Sequence, residues 1–346
     1  MSIFHKWRKI LSGAVVVALT AALAAGCGSE KQSASTAVAE KPEKVTIGVQ
    51  AIPNDESAAR DWYEKELGVK VVFKQFDSGR DVNTAMTAGQ IDIAILGTAP
   101  AAIGISKNIP YEVFWIHDVE GENESLAVKN SANVQSLKDL EGKKVAVPVG
   151  STAQYSLLNA LKDAGADVTK VKILDMQPPE IFAAWQRGDI DAAYVWQPTL
   201  GKILSDGKLL VTGRQLAEKG IVTADVGIVN KDFAAKYPEI LKQYVKLQQK
   251  AYDLFKSNPD EAAANVAKAL NIDGAEAKKE MQELVWLSLE EQGSERYFGT
   301  SDKKGSLVKT LKETADFLVE QGALDAAPGY EAFEQAVNPS FIEAAR

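Results

Sequence analysis

The sequence predicts an α/β protein made of two similar lobes, each a parallel-core sheet carrying helices on its faces. Three observations predict it. β-Branched apolar runs alternate with helix-period segments, the pattern of repeated β–α–β units. A short pattern, Gly-x-Ile-Asp-x-Ala, occurs at Gly89–Ala94 and again at Gly188–Ala193, 99 residues apart and at matching places in two such series. A chain of 346 residues is long enough for two domains.

Each element has a local reason. In the first series, residues 44–50 form a strand by their β-branched run, and residues 55–67 read as a helix with Asp55 as a candidate cap. A strand over 69–76, a short helix over 80–89 ended by Gly89, and a buried strand over 91–97 complete it. In the second series a strand over 143–150 leads into a helix over 151–165 ended by Gly165. A strand over 171–177, a helix over 178–188 and a strand over 189–198 follow. From about Phe233 the chain reads as mostly helical, with amphipathic stretches expected to pack on a lobe rather than build a third domain. Crossings between lobes are expected near Leu126–Val128 and Asp225–Val229. One lobe then comprises 44–125 and 226–346, the other 126–225.

The first residues read as an address. Lys6, Arg8 and Lys9 precede an uncharged run over 10–26 that is too short and too Ala-rich for a comfortable spanning helix. It ends Leu23-Ala24-Ala25-Gly26-Cys27, which resembles a bacterial lipobox. Residues 1–26 are therefore expected to be a lipoprotein signal peptide, with Cys27 as the lipid anchor to the cell membrane. The Ser/Ala/Lys/Glu-rich stretch that follows, to residue 43, reads as a flexible tether.

Composition removes whole classes of function. The net charge is −8; losing the leader removes three of 39 basic residues and none of 47 acidic ones, giving −11. Nucleic acid, which requires a basic surface, is not an expected partner. One Cys excludes an intrachain disulfide and a cysteine-rich zinc site, and of two His one, His5, lies in the leader. His117 is expected to be structural. No GxxxxGK[ST], strand-following GxGxxG, GxSxG or HExxH occurs, so no cofactor, metal or catalytic residue is expected.

Binding residues are sought where strands run into helices, because ligands of open α/β sheets sit outside the carboxyl ends of strands. Gly150-Ser151-Thr152, Gly97-Thr98 and Asp77-Ser78-Gly79 each place a strand end against a helix start. Helix starts offer unpaired N–H groups and partial positive charge, so an anion is the expected ligand group. Glu124 and Asp225 lie beside the two expected crossings, where a carboxylate could pair with a cation. Tyr155 and Trp196, near carboxyl ends of strands, are candidates for an aromatic cleft wall.

Several blocks carry a family resemblance: KQFDSGRDV, IDIAILGTAPAAIGISKNIPYEVFWI, LEGKKVAVPVGSTAQYSLLNALK and, most specifically, DMQPPEIFAAWQRGDIDAAYVWQP. From about Lys44 through Phe233 the chain resembles the sulfonate, nitrate and thiamine-precursor binding proteins of bacterial ABC importers, the taurine-binding members above all. The resemblance implies a type II periplasmic-binding-protein fold with a two-strand hinge, and no catalysis. It implies taurine or another aliphatic sulfonate as ligand, with nitrate or a thiamine precursor as alternatives and an enzyme on the same fold as a remoter one. It further implies an ABC permease with its ATPase as partner, and a monomer outside the cytoplasmic membrane. By the family's pattern, Asp77, Ser78, Gly79, Gly97, Thr98, Ser151 and Thr152 face the ligand. Glu124 and Asp225 match acidic positions, with Asp225 favoured for the ammonium, and Gln177 and Trp185 match cleft positions. Gly227 stands where a bulkier residue is expected and would enlarge the pocket.

Overall fold

The structure is a computed structural model that describes residues 41–346. The leader, Cys27 and nearly all of the tether lie outside the described residues. Among the described residues there are ten strands: β1 (Lys44–Val49), β2 (Lys70–Gln75), β3 (Ile93–Gly97), β4 (Tyr111–Val119), β5 (Glu124–Lys129), β6 (Lys144–Val147), β7 (Lys172–Asp175), β8 (Ala192–Trp196), β9 (Gly207–Thr212) and β10 (Ala224–Asn230). They build two five-stranded sheets with the same plan, β2-β1-β3-β10-β4 and β7-β6-β8-β5-β9.

In each sheet the first three strands are parallel and the fourth runs antiparallel to both neighbours. That fourth strand is exchanged. β5 follows β4 of the first sheet but belongs to the second, and β10 follows β9 of the second but belongs to the first. The direction has a simple cause. A strand arriving from the other lobe begins at the cleft, where the parallel strands end, so it must run back the other way. Glu124 accordingly opposes Trp196, the last residue of β8, and Asp225 opposes Gly97, the last residue of β3.

The crossings occupy 120–123 and 213–223. The stretches expected to cross, Leu126–Val128 and Asp225–Val229, lie inside β5 and β10 instead; both are continuously buried, as strands covered on two faces are. The two crossings are hydrogen-bonded side by side, Glu120 N–H to Thr223 O and Arg214 N–H to Gly121 O, each at 3.0 Å. A Cβ on Gly213 would lie 2.7 Å from the Gly121 carbonyl oxygen, so this approach requires glycine.

The repeated Gly-x-Ile-Asp-x-Ala pattern ties strands together twice. Asp92 accepts the Thr46 N–H of β1 at 2.7 Å, and Asp191 accepts the Lys144 N–H of β6 at 2.8 Å. Ile91 and Ile190 are both 2% exposed, and Gly89 and Gly188 end the preceding helices with positive φ. One large core joins the first sheet to the C-terminal helices, from Ile240 to Ile342. The second sheet has a separate cluster on each face: Val145 and Val147 point into one and Ala146 into the other.

The helix expected over 55–67 is broken, with α-helix at Asp55–Ala59 and Tyr63–Leu67 joined by a 3₁₀ turn at Arg60–Trp62. Asn54, not Asp55, holds its N-cap position. No helix among the described residues is long and apolar enough to cross a membrane.

Candidate functional site

A tight cavity of about 20 Å³ lies where the carboxyl ends of the two parallel cores face each other. Three helices begin at it: Gly79–Thr87, Thr98–Ser106 and Thr152–Asp163. Gly79, Gly97, Ser151 and Thr152 line it. The first two helices have no side-chain cap, so their opening N–H groups keep their polarity toward the cavity. At the third, the Ser151 hydroxyl accepts the Gln154 N–H at 3.2 Å. The two lobes touch here: a Cβ on Gly97 would lie 2.5 Å from Thr152 Cγ2.

The cavity is also lined by acids. Glu120 and Asn123 come from the first crossing, Glu124 from the start of β5 and Asp225 from the start of β10. Asp118, at the end of β4, lies in the same cluster; it, Glu120 and Asp225 each offer an oxygen within 4.8 Å of the others. All are buried, and among the described residues no Lys, Arg or His lines the cavity. Burial, reinforced by mutual repulsion, pushes the carboxyls of Asp118, Glu124 and Asp225 well above the ordinary range. Burial pushes Glu120 up to about 7, against the pull of the Asn123 amide that donates to it.

Hydrogen bonding satisfies only part of this wall. Glu124 Oε2 accepts the Thr152 hydroxyl at 2.6 Å, and Asp118 Oδ1 accepts the Asn54 amide at 2.9 Å. Glu124 Oε1, Asp118 Oδ2 and Asp225 Oδ2 have no partner among the described residues. Buried carboxyl oxygens without donors favour a bound cation or a held proton. An oxygen-rich trio suits an ammonium; it also suits a hard divalent ion, which would need further oxygen ligands. The cavity thus offers both donors suited to an anion and acceptors suited to a cation.

Of the residues singled out in the sequence, Gly79, Gly97, Glu124, Ser151, Thr152 and Asp225 meet at this cavity. Ser78 is buried, with its hydroxyl on Asp81 at 3.2 Å, and exposed Asp77 lines a neighbouring chamber. Thr98 sits behind the wall, its hydroxyl accepting the Ala224 N–H at 3.4 Å. Gln177 forms the capping box that starts the helix Pro178–Arg187.

Three placements correct the expectation. Trp185 lies four residues after Ile181 on the buried stripe of its helix; it is 2% exposed and donates to Asp206 within the second lobe. Tyr155 lies off the Ala153–Leu157–Ala160 stripe and meets Phe317 edge-on, ring centroids 5.3 Å apart. Gly227 does not open the cavity. A Cβ there would point into the first lobe's core, 3.2 Å from His117 Nε2 and 3.3 Å from Phe114 Cε1. His117 is buried, paired with Asp55 and 3.4 Å from the Tyr244 hydroxyl, and it does not line the cavity.

Sequence reasoning missed Gln50, Ile52 and Pro53 after β1, Pro100, the crossing residues Glu120 and Asn123, and Gln197 after β8. Gln50 and Gln197 follow strand ends, a signal that was available. Glu120 and Asn123 were hidden by placing the crossing several residues late. Trp196, a candidate wall, does line the cavity.

The NMT1/THI5 like family model matches residues 57–262. The chain is 36% identical to the taurine-binding periplasmic protein of Escherichia coli K12 over 86% of this chain and 92% of that protein. It is 27% identical to a putative aliphatic sulfonates-binding protein of Bacillus subtilis 168, over 90% and 91%. Among solved structures, the alkanesulfonate-binding protein SsuA of Xanthomonas axonopodis pv. citri, bound to MOPS, superposes with a TM-score of 0.71. That likeness covers 86% of this chain and 99% of the other at 20% identity, and it identifies the periplasmic-binding-protein fold. A family model that spans more than half of the residues, together with the two-sheet architecture, establishes that the chain belongs to the NMT1/THI5-like family.

Proposed function

We propose that this protein is the substrate-binding component of an ABC importer and captures taurine, or a close aminoalkanesulfonate, outside the cytoplasmic membrane. The observation that carries the proposal is one cavity that combines uncapped helix starts with buried, partly unpartnered carboxyls and no basic side chain. A sulfonate matches backbone N–H groups at positive helix ends. The ammonium matches Asp225, Glu124 and Glu120, and the unpartnered oxygens of Asp225 and Glu124 then gain donors. The taurine-binding relative supports the choice of ligand.

In this proposal the lobes hinge at the two glycine-bearing crossings and close on the ligand. Ligand favours closure because only the closed state presents both walls at once. In this reading the protein binds without catalysing, in keeping with its binding-protein relatives. It acts as a monomer, held to the membrane by lipid on Cys27 and delivering its ligand to a permease and ATPase.

The test compares taurine with ethanesulfonate, which keeps the anion and lacks the amine. Calorimetry is expected to show strong taurine binding and a much weaker ethanesulfonate. Equal affinities would point instead to a plain alkanesulfonate or another anion and remove the amine contacts from the site.

A further inference from the structure

Behind the acids of the inner cavity lies a larger one of about 300 Å³, at the lower end of the ~300–1,000 Å³ usual for small-molecule sites. Both crossings border it, Glu120 in the first and Arg214, Ala217 and Val222 along the second. The ends of β4 and β10 and side chains from residues 285–310 complete it. One layer of chain separates the two spaces. Ala224 borders this hinge cavity and Asp225, the next residue of β10, borders the inner one, because successive strand side chains take opposite faces.

The two spaces differ in charge. Glu120 turns its carboxyl toward the inner acids: it accepts the Asn123 amide and clusters with oxygens of Asp118 and Asp225. The charged groups left to the hinge cavity are two guanidiniums, Arg214 and Arg296. Arg214 is half-buried and is paired with Glu122 at 2.6 Å. Arg296 is exposed and makes no ion pair among the described residues; its guanidinium stands 5.5 Å from the Tyr297 ring centroid. Most of the other lining is apolar, with Ile116, Val119, Ala224 and Leu307 buried. The helix Ser306–Glu320 begins here, but its Ser306 and Leu307 N–H groups are already donated to the Glu295 and Tyr297 carbonyls, at 2.9 and 3.0 Å. The pull on an anion therefore comes from the arginines.

We infer that the hinge cavity is a second binding site, separate from the inner one, for a carboxylate carried on a short apolar body. The guanidiniums take the head, in the forked geometry that suits a carboxylate, and the apolar side chains take the body. An occupant touches both crossings, the segments about which the lobes close, so it changes the affinity of the inner site for its own ligand.

The probe is octanoate, with 1-octanol as its uncharged counterpart, on the parent protein and on Arg296→Gln and Ala217→Phe; thermal melting checks that both variants fold. Calorimetry is expected to show one octanoate site in the parent, with octanol about tenfold weaker or more, since only the anion meets the guanidiniums. Removing the Arg296 charge and filling the space beside Ala217 are each expected to weaken octanoate about fivefold or more, while taurine measured alone changes less than about twofold. Saturating octanoate is expected to change the parent's taurine affinity about threefold or more, and not that of Ala217→Phe. No octanoate binding, octanol binding equally well, or unchanged octanoate affinity in either variant overturns the site. Octanoate that binds as expected but leaves taurine affinity unaltered overturns the link to the inner cavity. If taurine does not bind the parent at all, the aminosulfonate reading fails, and the octanoate measurements still decide the hinge cavity.

Discussion

The two lobes share a frame and differ in what they bring to the cleft. In both, an Asp on the turn into the third strand ties the parallel strand beside it, Asp92 to Thr46 of β1 and Asp191 to Lys144 of β6. In both, the borrowed fourth strand sets an acid opposite the last residue of the third, Asp225 opposite Gly97 and Glu124 opposite Trp196. The chemistry then diverges. Glu124 has one oxygen satisfied by Thr152, while Asp225 Oδ2 has no partner. The second lobe's helix start is capped by Ser151, and the first lobe's two are uncapped. The repeated features hold sheets together; the unequal ones give a ligand two distinguishable ends.

The strongest way to break this comparison is to exchange the unequal acids for neutral residues. Asp225→Ala is expected to weaken taurine binding by about 2–5 kcal/mol, the range for removing one partner of a buried charged pair. Glu124→Gln is expected to cost less, because Thr152 keeps part of its hydrogen bonding. Titration calorimetry decides, and unchanged affinity in Asp225→Ala removes that residue from the site.

The acid carried by the first crossing sharpens the contrast through pH. Glu120 is pushed from its ordinary 4.5 up to about 7 by burial. The folded, empty protein thus binds a proton that the unfolded chain releases between those values, and its stability falls as pH rises through that window. The loss is about 2–3 kcal/mol from this group. Thermal melts of ligand-free protein from pH 4.5 to 7 should show the decline, and Glu120→Gln should make it less steep, the remainder coming from Asp118, Glu124 and Asp225, which are raised by the same burial. A curve that rises with pH and is unaffected by that substitution contradicts the account.

A smaller effect tests contact between the lobes. Gly97→Ala places a methyl against Thr152 Cγ2 and is expected to weaken ligand binding by about 1–2 kcal/mol, as overpacking does. Adding Thr152→Ser removes the opposing methyl, keeps the hydroxyl, and should restore affinity. The smallest effect tests the shared frame. Asp92→Ala and Asp191→Ala should each cost about 1 kcal/mol of stability in denaturant unfolding. A large difference between them would show that the repeated pattern is not equivalent in the two lobes.

The strands of both parallel cores and the repeated turn motif were legible because they are local patterns of apolar period and glycine. Glu124 and Asp225 were also legible, as acids beside expected crossings, even though those crossings were drawn inside β5 and β10. Glu120 was not, because its place at the cavity depends on where β4 ends, which pairing with β10 decides. Trp185 and Tyr155 were misplaced for a different reason. Their helices' apolar stripes already indicated which way each side chain points, but proximity to a strand end was given more weight.

The exchanged strands have a consequence for how the protein is made. As the chain emerges from its amino terminus, the second sheet has all five strands once Thr212 has appeared. The first sheet, begun earlier, must hold an open slot between β3 and β4 until Asn230 arrives. The earlier-synthesised half is therefore the later one to finish folding. Such a delay suits a polypeptide that has to be threaded through a membrane before it takes its final shape.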